Sequence, residues 1–326
     1  MKTKLKLIVA AAAVLLSFNA AFAAKLDDAP SASCDGLKVA TGPKGKGYSK
    51  LFGDIAKACG AEVNLCEVTT SGGLDNLNAM STKDADAGIA QLDTWTTMKS
   101  GDENIAGLQG VIGMNYNYLH VVTSAGGFMI AGAKKWGGIS KEDDKQVTIQ
   151  RFSELRGRKV ALVGSAQLLG RQLDRNLGYG MQLIDVETDQ KAFELVRTGA
   201  VAAALSVSGW PHGTLKTLKQ DSGLSLVPFD APAAGGQVVR TINYKGLGVF
   251  NNNALAMPNI LFSRPFKGEK AAEVGKVKAC VTAKLQELQE GSFEPGWNEI
   301  KDPGNTYDVP KFTAPSGKAV AKSAKK

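Results

Sequence analysis

Short apolar runs alternate with amphipathic segments in the first part of the chain, and turns rich in glycine, serine and threonine separate them. The apolar runs are Val39–Thr41, Val63–Val68 and Ala87–Leu92, and the turns are 42–47 and 69–73. Between them, apolar residues recur at helical spacing over about 48–58 and 74–80. This alternation favours an α/β fold with a parallel sheet, in which the two turns open two helix N-termini at one edge.

The two turns predict a place where an anion can bind. Unpaired backbone N–H groups and the positive end of the helix dipole attract carboxylate or phosphate at a helix N-terminus. Open α/β sheets bind their ligands at the carboxyl ends of the strands. The turn at 42–47 has neither a Walker lysine pattern nor a G-x-G-x-x-G spacing at a strand end, so nucleotide binding is not expected.

The same pattern recurs later in the chain and predicts a second α/β lobe. Strand-like runs cover Lys159–Val163, Met181–Val186 and Val201–Val207, and helical patterns cover Ala166–Leu177 and Asp189–Thr198. The first of these strands ends at Gly164-Ser165-Ala166-Gln167, and the third ends at Ser208-Gly209-Trp210-Pro211. Each lobe is therefore expected to aim strand ends and helix N-termini at a shared ligand site.

Several of these segments resemble the TAXI family, the solute-binding subunits of tripartite ATP-independent periplasmic (TRAP) transporters. The resemblance is carried by ATGPKGKGYSKLFGDIAKA, VTTSGGLDNLNAMSTKDADAGIAQLD, FSELRGRKVALVGS and LAMPNILF. It implies a two-lobed periplasmic binding protein fold of type II-like architecture. Each lobe would be a mostly parallel sheet flanked by helices, with the ligand cleft between the lobes.

The predicted organisation has four parts. Residues 1–23 are expected to be a secretory signal peptide, because lysines at 2, 4 and 6 precede an apolar core and an Ala-Phe-Ala cleavage site. Lobe 1 is expected to comprise 24–122 plus 254–308, lobe 2 to comprise 123–253, and 309–326 to be a disordered basic tail.

Charge gives no sign of a nucleic-acid partner. The chain has 39 lysines and arginines against 31 aspartates and glutamates. The signal segment and the tail hold eight of the lysines, and without them basic and acidic residues balance at 31 each.

Four cysteines, with no C-x-x-C spacing, fit an oxidising compartment. Three pairings are possible. The short separation of Cys59 and Cys66 favours a disulfide between them, which would leave Cys34 with Cys280. With only two histidines in the chain, a zinc site or a redox motif is not expected.

Eight candidate ligand-binding residues stand at these turns and strand ends: Tyr48, Ser71, Gln91, Asp93, Ser165, Gln167, Ser208 and Trp210. The resemblance places Tyr48 at the family's aromatic position just inside the first helix. Each also has a structural interpretation, in which the serines and Asp93 only cap helices while Tyr48 and Trp210 only pack. His120 is expected to be buried and His212 to lie at the surface.

The resemblance implies a periplasmic protein that captures a small anionic solute, carboxylate or amino-acid-like, and delivers it to TRAP membrane subunits. Neither an enzymatic activity nor a cofactor or metal is expected, and membrane contact would come only through the transporter. Two alternatives stay open: the ligand-binding subunit of an extracytoplasmic sensor, and a secreted α/β hydrolase using Ser165. Lys44, Lys46 and Trp210 depart from the family pattern; the lysines favour an anion, while Trp210 would narrow the pocket.

Overall fold

The computed structural model describes residues 34–132, 134–135 and 140–314. The predicted signal peptide and residues 315–326 lie outside the described residues.

The first half of the fold contains the stretch with the two predicted turns. Its elements are β1 (Leu37–Gly42), α1 (Gly47–Cys59), β2 (Leu65–Thr69), α2 (Gly73–Ser81), β3 (Ala87–Gln91), α3 (Leu92–Met98) and α4 (Glu103–Ala106). Strand β1 lies between β2 and β3 and runs parallel to both. Helix α1 packs because Leu51, Phe52 and Ile55 recur on one face and are buried. The predicted parallel sheet, with both turns at one edge, is confirmed.

The second half repeats this arrangement with β9 (Lys159–Val163), α5 (Ala166–Leu177), β10 (Gln182–Val186), α6 (Asp189–Arg197) and β11 (Ala203–Gly209). Strand β9 lies between β10 and β11 and is parallel to both. Before it, the chain passes through short strands β5 (Phe128–Ile130), β6 (Lys134–Lys135), β7 (Ser140–Lys141) and β8 (Lys145–Val147). The repeated unit predicted from the sequence is therefore present.

Two long antiparallel strands join the halves. They are β4 (Gln109–Ser124) and β14 (Val249–Ser263). The early part of β4 and the late part of β14 belong with β3, whereas residues 117–123 of β4 pair with β11. One sheet thus runs in the order β10-β9-β11-β4-β14-β3-β1-β2, with β12 (Leu224–Leu226) and β13 (Val238–Tyr244) off this path. Two parallel α/β units linked by two crossing strands are the predicted type II-like binding-protein fold, which is confirmed.

The C-terminal part of the described chain returns to the first half. Helices α7 (Gly268–Ala283) and α8 (Leu285–Glu290) lead to a 3₁₀ turn at Pro295–Glu299. The prediction of a disordered tail from 309 is wrong for its first six residues. Val309 and Phe312 are buried, and the Phe312 N–H donates to the Gly110 carbonyl. Burial of two apolar side chains against β4 orders this segment.

The predicted disulfide pairing is also wrong. Cys59 at the end of α1 is bonded to Cys280 of α7, with a sequence separation of 221. Because helix α1 packs beside α7, the buried Cys59 faces that helix and not the neighbouring strand β2. Cys34 and Cys66 are also disulfide-bonded.

In the described part of the chain, every helix is too short or too polar to span a bilayer.

Candidate functional site

The carboxyl ends of strands β3 and β11, one from each half, lie beside neighbouring positions of the two crossing strands. Gln91, the last residue of β3, lies opposite Asn259 of β14, and Gly209, the last residue of β11, lies opposite Asn117 of β4. The Asn259 Nδ2 donates to the Asn117 Oδ1 at 3.3 Å. The ends where α/β proteins bind ligands therefore meet at this asparagine pair.

Tyr48 completes a closed ring of three hydrogen bonds with the two asparagines. Its hydroxyl donates to the Asn259 Oδ1 at 2.8 Å and accepts from the Asn117 Nδ2 at 2.9 Å. Asn259 is fully buried, whereas Tyr48 and Asn117 are half-buried. Burial and the nearby Asp93 charge raise the pKa of the Tyr48 hydroxyl above its ordinary value, against a lowering by the Asn117 hydrogen bond, so it stays a neutral donor.

The two predicted turns touch each other. A Cβ placed on Gly42 would lie 3.2 Å from the Gly72 Cα, so this approach requires glycine at position 42, where φ is +78°. Asn76 holds both turns: its Oδ1 accepts from the Gly42 N–H at 3.1 Å and its Nδ2 donates to the Ile89 carbonyl at 2.6 Å. The tips of the two turns are thereby fixed next to β3.

Neither predicted serine cap forms. Helix α2 begins after Gly72, and Ser71 is exposed ahead of it. Ser165 precedes α5 but makes no side-chain capping bond. The interpretation of these two serines as helix caps is therefore wrong, and their hydroxyls are not used in that way.

The predicted role of Lys44 as an anion-binding group is altered by an ion pair. Its ammonium contacts the Glu67 carboxylate, which also accepts from the Thr41 hydroxyl at 2.9 Å. Burial raises the pKa of Glu67, but the bonds from Lys44, Ser49 and Thr41 outweigh it and lower the pKa overall. The positive charge of Lys44 is thus compensated within the protein.

Asp93 lies close to the ring of hydrogen bonds. It is the second residue of α3, only 6% exposed, and its Oδ1 accepts from the Thr94 N–H at 2.9 Å. Burial raises the pKa of Asp93 to about 6, against lowering by hydrogen bonds from Thr94 and the Gln237 side chain. Gln91 immediately before the helix is also buried.

A segment of the second half covers Asp93. This strap, residues 227–237, connects β12 to β13, and its first part is anchored by Val227 and Phe229, which are buried in the core of the second half. At its other end a Cβ on Gly236 would meet the Leu92 Cδ2 at 2.5 Å, and the neighbouring Gln237 side chain lowers the pKa of Asp93. The strap is therefore a contact between the halves in addition to the crossing strands.

The other predicted residues lie on the second half and keep their contacts there. Gln167 is half-buried in the first turn of α5, and the Ser208 hydroxyl donates to the Gly209 carbonyl at 3.0 Å. Trp210 is 37% exposed, and its Nε1 donates to the Asn243 carbonyl at 3.3 Å. The interpretation of Trp210 as a core residue is therefore wrong.

The histidines form a buried cluster that the sequence did not predict. His212 is 3% exposed, not at the surface as expected, and its ring lies 5.0 Å from that of His120. The Tyr244 hydroxyl links them, bonding the His120 Nε2 at 2.8 Å and accepting from the His212 N–H at 2.7 Å. Burial, with a smaller effect of His212, lowers the pKa of His120 to about 3, so it is neutral. His120 is buried as expected.

Ser206, His212 and Asp189 lie together in this cluster without the geometry of a catalytic triad. The His212 Nδ1 accepts from the Thr214 N–H at 3.1 Å, which places the ring proton on Nε2, 3.1 Å from the Ser206 oxygen. The Ser206 hydroxyl donates to Asp189 at 2.7 Å. A serine nucleophile must instead give its proton to an unprotonated imidazole nitrogen. The buried trio therefore acts as a structural bridge.

Three residues of the site were not predicted from the sequence: Asn117, Asn259 and Gln237. The two asparagines each interrupt an apolar strand, in YNYLHVV and MPNILF. A polar amide in a buried strand needs partners, and that signal could have identified both. The described residues include no group of three or more His, Cys, Asp or Glu arranged to hold a metal ion.

No family model matches the chain. Among solved structures, the chain is similar to the substrate-binding protein of an amino acid ABC transporter, with 12% identity, a TM-score of 0.43, and coverage of 77% of this chain and 93% of that one. It is also similar to the GluR0 ligand-binding core from Nostoc punctiforme in complex with L-glutamate, with 12% identity, a TM-score of 0.44, and coverage of 78% and 97%. An ancestral arginine-binding protein bound to arginine shows 14% identity, a TM-score of 0.43, and coverage of 81% and 95%.

Proposed function

We propose that this chain is an extracytoplasmic solute-binding protein that captures a small solute bearing a carboxylate, of the amino acid or related organic acid class. The observation that carries this proposal is the meeting of the carboxyl ends of β3 and β11 at the ring formed by Tyr48, Asn117 and Asn259. A few convergent polar groups between two α/β units are typical of a small-molecule site.

Each half contributes different groups to this site. The first half offers the predicted residues Tyr48, Ser71, Gln91 and Asp93. The second half offers the predicted residues Ser165, Gln167, Ser208 and Trp210. A solute that contacts both halves only when they are closed around it shifts the population toward the closed state.

We further propose that the bound solute is passed to a TRAP-type membrane transporter from the periplasm. The TAXI-like motifs and the signal-like N-terminal sequence support this part, and the disulfide between Cys59 and Cys280 fits an oxidising compartment. A gene for fused TRAP membrane subunits beside this one would support transport, while an adjacent sensor kinase gene would favour the sensor alternative.

The test is a calorimetric screen of the purified mature protein against amino acids, dicarboxylates and aromatic acids. Tyr48→Phe should weaken any binding found, because it opens the ring, whereas Tyr179→Phe is the matched control on the second half. Closure should reduce the radius of gyration measured by small-angle scattering. Failure of every solute to bind, or a radius of gyration unchanged by a bound solute, would overturn the proposal.

A further inference from the structure

Asp93 is a buried carboxylate with no compensating charge among the described residues. Its side chain is 6% exposed, and its Oδ1 accepts from the Thr94 N–H at 2.9 Å. The other groups that lower its pKa, the Gln237 side chain and the backbone of Asp93 itself, are also neutral. None of the ion pairs found between described residues involves it. By contrast, the nearby Glu67 is paired with Lys44.

An uncompensated charge in this position is unfavourable by itself. Transfer of a carboxylate out of water costs several kcal/mol unless an opposite charge or enough hydrogen bonds accompany it. Tyr48 is the titratable group that acts on Asp93 from α1, and it is neutral. From α3 and the strap, the groups that face Asp93 are the neutral Thr94 and Gln237. The position therefore favours a cation supplied from outside the protein.

The position of Asp93 coincides with the site proposed above. It follows Gln91, the residue opposite Asn259, and its charge acts directly on the Tyr48 hydroxyl. A solute nitrogen that reaches the ring would meet the Asp93 carboxylate where the Gln237 amide now donates.

We propose that Asp93 is the counter-ion for a cationic nitrogen of the solute, so that the site prefers a zwitterionic amino acid to the corresponding acid without an amine. This inference rests on the proposed function and narrows it. The solute amine donates to Asp93 in place of Gln237. A purely anionic solute would instead bring a second negative charge next to a buried one.

Matched pairs of solutes test the preference: L-glutamate with glutarate, L-aspartate with succinate, and L-leucine with 4-methylpentanoate, each by calorimetry. The amino acid of at least one pair should bind about ten- to a hundredfold tighter than its partner, as expected for a hydrogen bond to a charged group. Asp93→Asn should abolish most of that ratio. Asp75→Asn, in the half-exposed first turn of α2, should leave it unchanged.

The wild-type protein provides a second measurement that does not depend on a variant. If the ammonium binds ionised Asp93, affinity for the amino acid should fall by up to tenfold per pH unit below about pH 6, and binding near pH 5.5 should release a proton. Equal or tighter binding of the deaminated partner, an unchanged ratio in Asp93→Asn, or binding without proton release would each overturn the inference while leaving the proposed function intact. If neither member of any pair binds, the inference is overturned, and the proposed function is overturned as well when the broader calorimetric screen finds no solute.

Discussion

The Tyr48 hydroxyl donates a 2.8 Å hydrogen bond to the Asn259 side chain, although 211 positions separate the two residues in the chain. The bond ties the first turn of helix α1 to the second crossing strand. Asn117 of the first crossing strand bonds to both Tyr48 and Asn259. The Tyr48 hydroxyl therefore holds the two crossing strands in a fixed relative position.

Removing this hydroxyl should therefore affect stability as well as binding. Tyr48→Phe leaves the buried Asn259 carbonyl and the Asn117 amide each short of one partner, and we expect a loss of about 1–3 kcal/mol in the free energy of unfolding. Urea unfolding followed by circular dichroism measures it. Tyr179→Phe, whose ring packs on Phe152 outside the ring of hydrogen bonds, should change stability less. Equal losses in the two variants would show that the ring of hydrogen bonds stabilises the fold no more than the Tyr179 hydroxyl does.

Asp93 should make stability depend on pH in a defined direction. Its folded-state pKa is raised to about 6, above an unfolded value near 4, so the folded protein holds the proton more tightly than the unfolded chain. The contribution of Asp93 to the free energy of unfolding is fully present below about pH 4. It falls by about 3 kcal/mol in total as the pH rises through 6. Asp93→Asn should be more stable than wild type at pH 8 and similar to it at pH 4. A stability difference that is the same at both values would contradict a raised pKa.

Contact between the strap and Leu92 can be tested with two adjacent glycines. Gly235 and Gly236 both have positive φ, +61° and +81°, but only a Cβ at Gly236 meets Leu92, while one at Gly235 has no heavy atom within 4 Å. Gly236→Ala should therefore loosen the strap over Asp93, because it adds both backbone strain and a clash with Leu92. Gly235→Ala is the control, because it adds only the backbone strain. Hydrogen exchange of the strap measures the difference, with faster exchange expected in Gly236→Ala. Identical exchange in both variants would argue against the contact.

The Ser206–His212–Asp189 trio should behave as a structural bridge. Ser206→Ala leaves Asp189 and the His212 Nε2–H without their shared partner, and a loss of about 1–3 kcal/mol is expected. Hydrolysis of p-nitrophenyl acetate should be the same for wild type, Ser206→Ala and Ser165→Ala. A turnover that disappears in only one serine variant would instead revive the hydrolase alternative.

Disulfide pairing has a direct chemical test. Non-reduced peptide mapping should join Cys59 to Cys280, and because all four cysteines are bonded, Cys34 to Cys66. Replacing Cys59 and Cys280 together by alanine should lower stability by about 2–5 kcal/mol, and more than replacing the other pair, because the closed loop is far longer. A peptide joining Cys59 to Cys66 would contradict this arrangement.

Local elements and the repeated α/β unit could be predicted from the residue pattern. Apolar patterns fixed helix α1 and strands β1, β9 and β11 to within a few residues, because α1 buries one face and these strands are buried over most of their length. Glycines 42 and 72 marked the two turns, since both have positive φ and at Gly42 the close Gly72 Cα also excludes a side chain. Tyr48 was predicted from the resemblance and Asp93 from its place after a strand, and their contacts with a ligand stay predictions.

Tertiary structure alone decided which of these groups meet. Cys59 joins Cys280 because α1 packs beside α7, and the proximity of Cys66 in sequence has no bearing on that contact. The two asparagines that complete the Tyr48 ring come from strands far apart in the chain, as does Gln237 on Asp93. His212 is buried because Tyr244 and Ser206 satisfy it. Pairings of this kind depend on strand register and helix packing across the fold, and local sequence patterns do not carry that information.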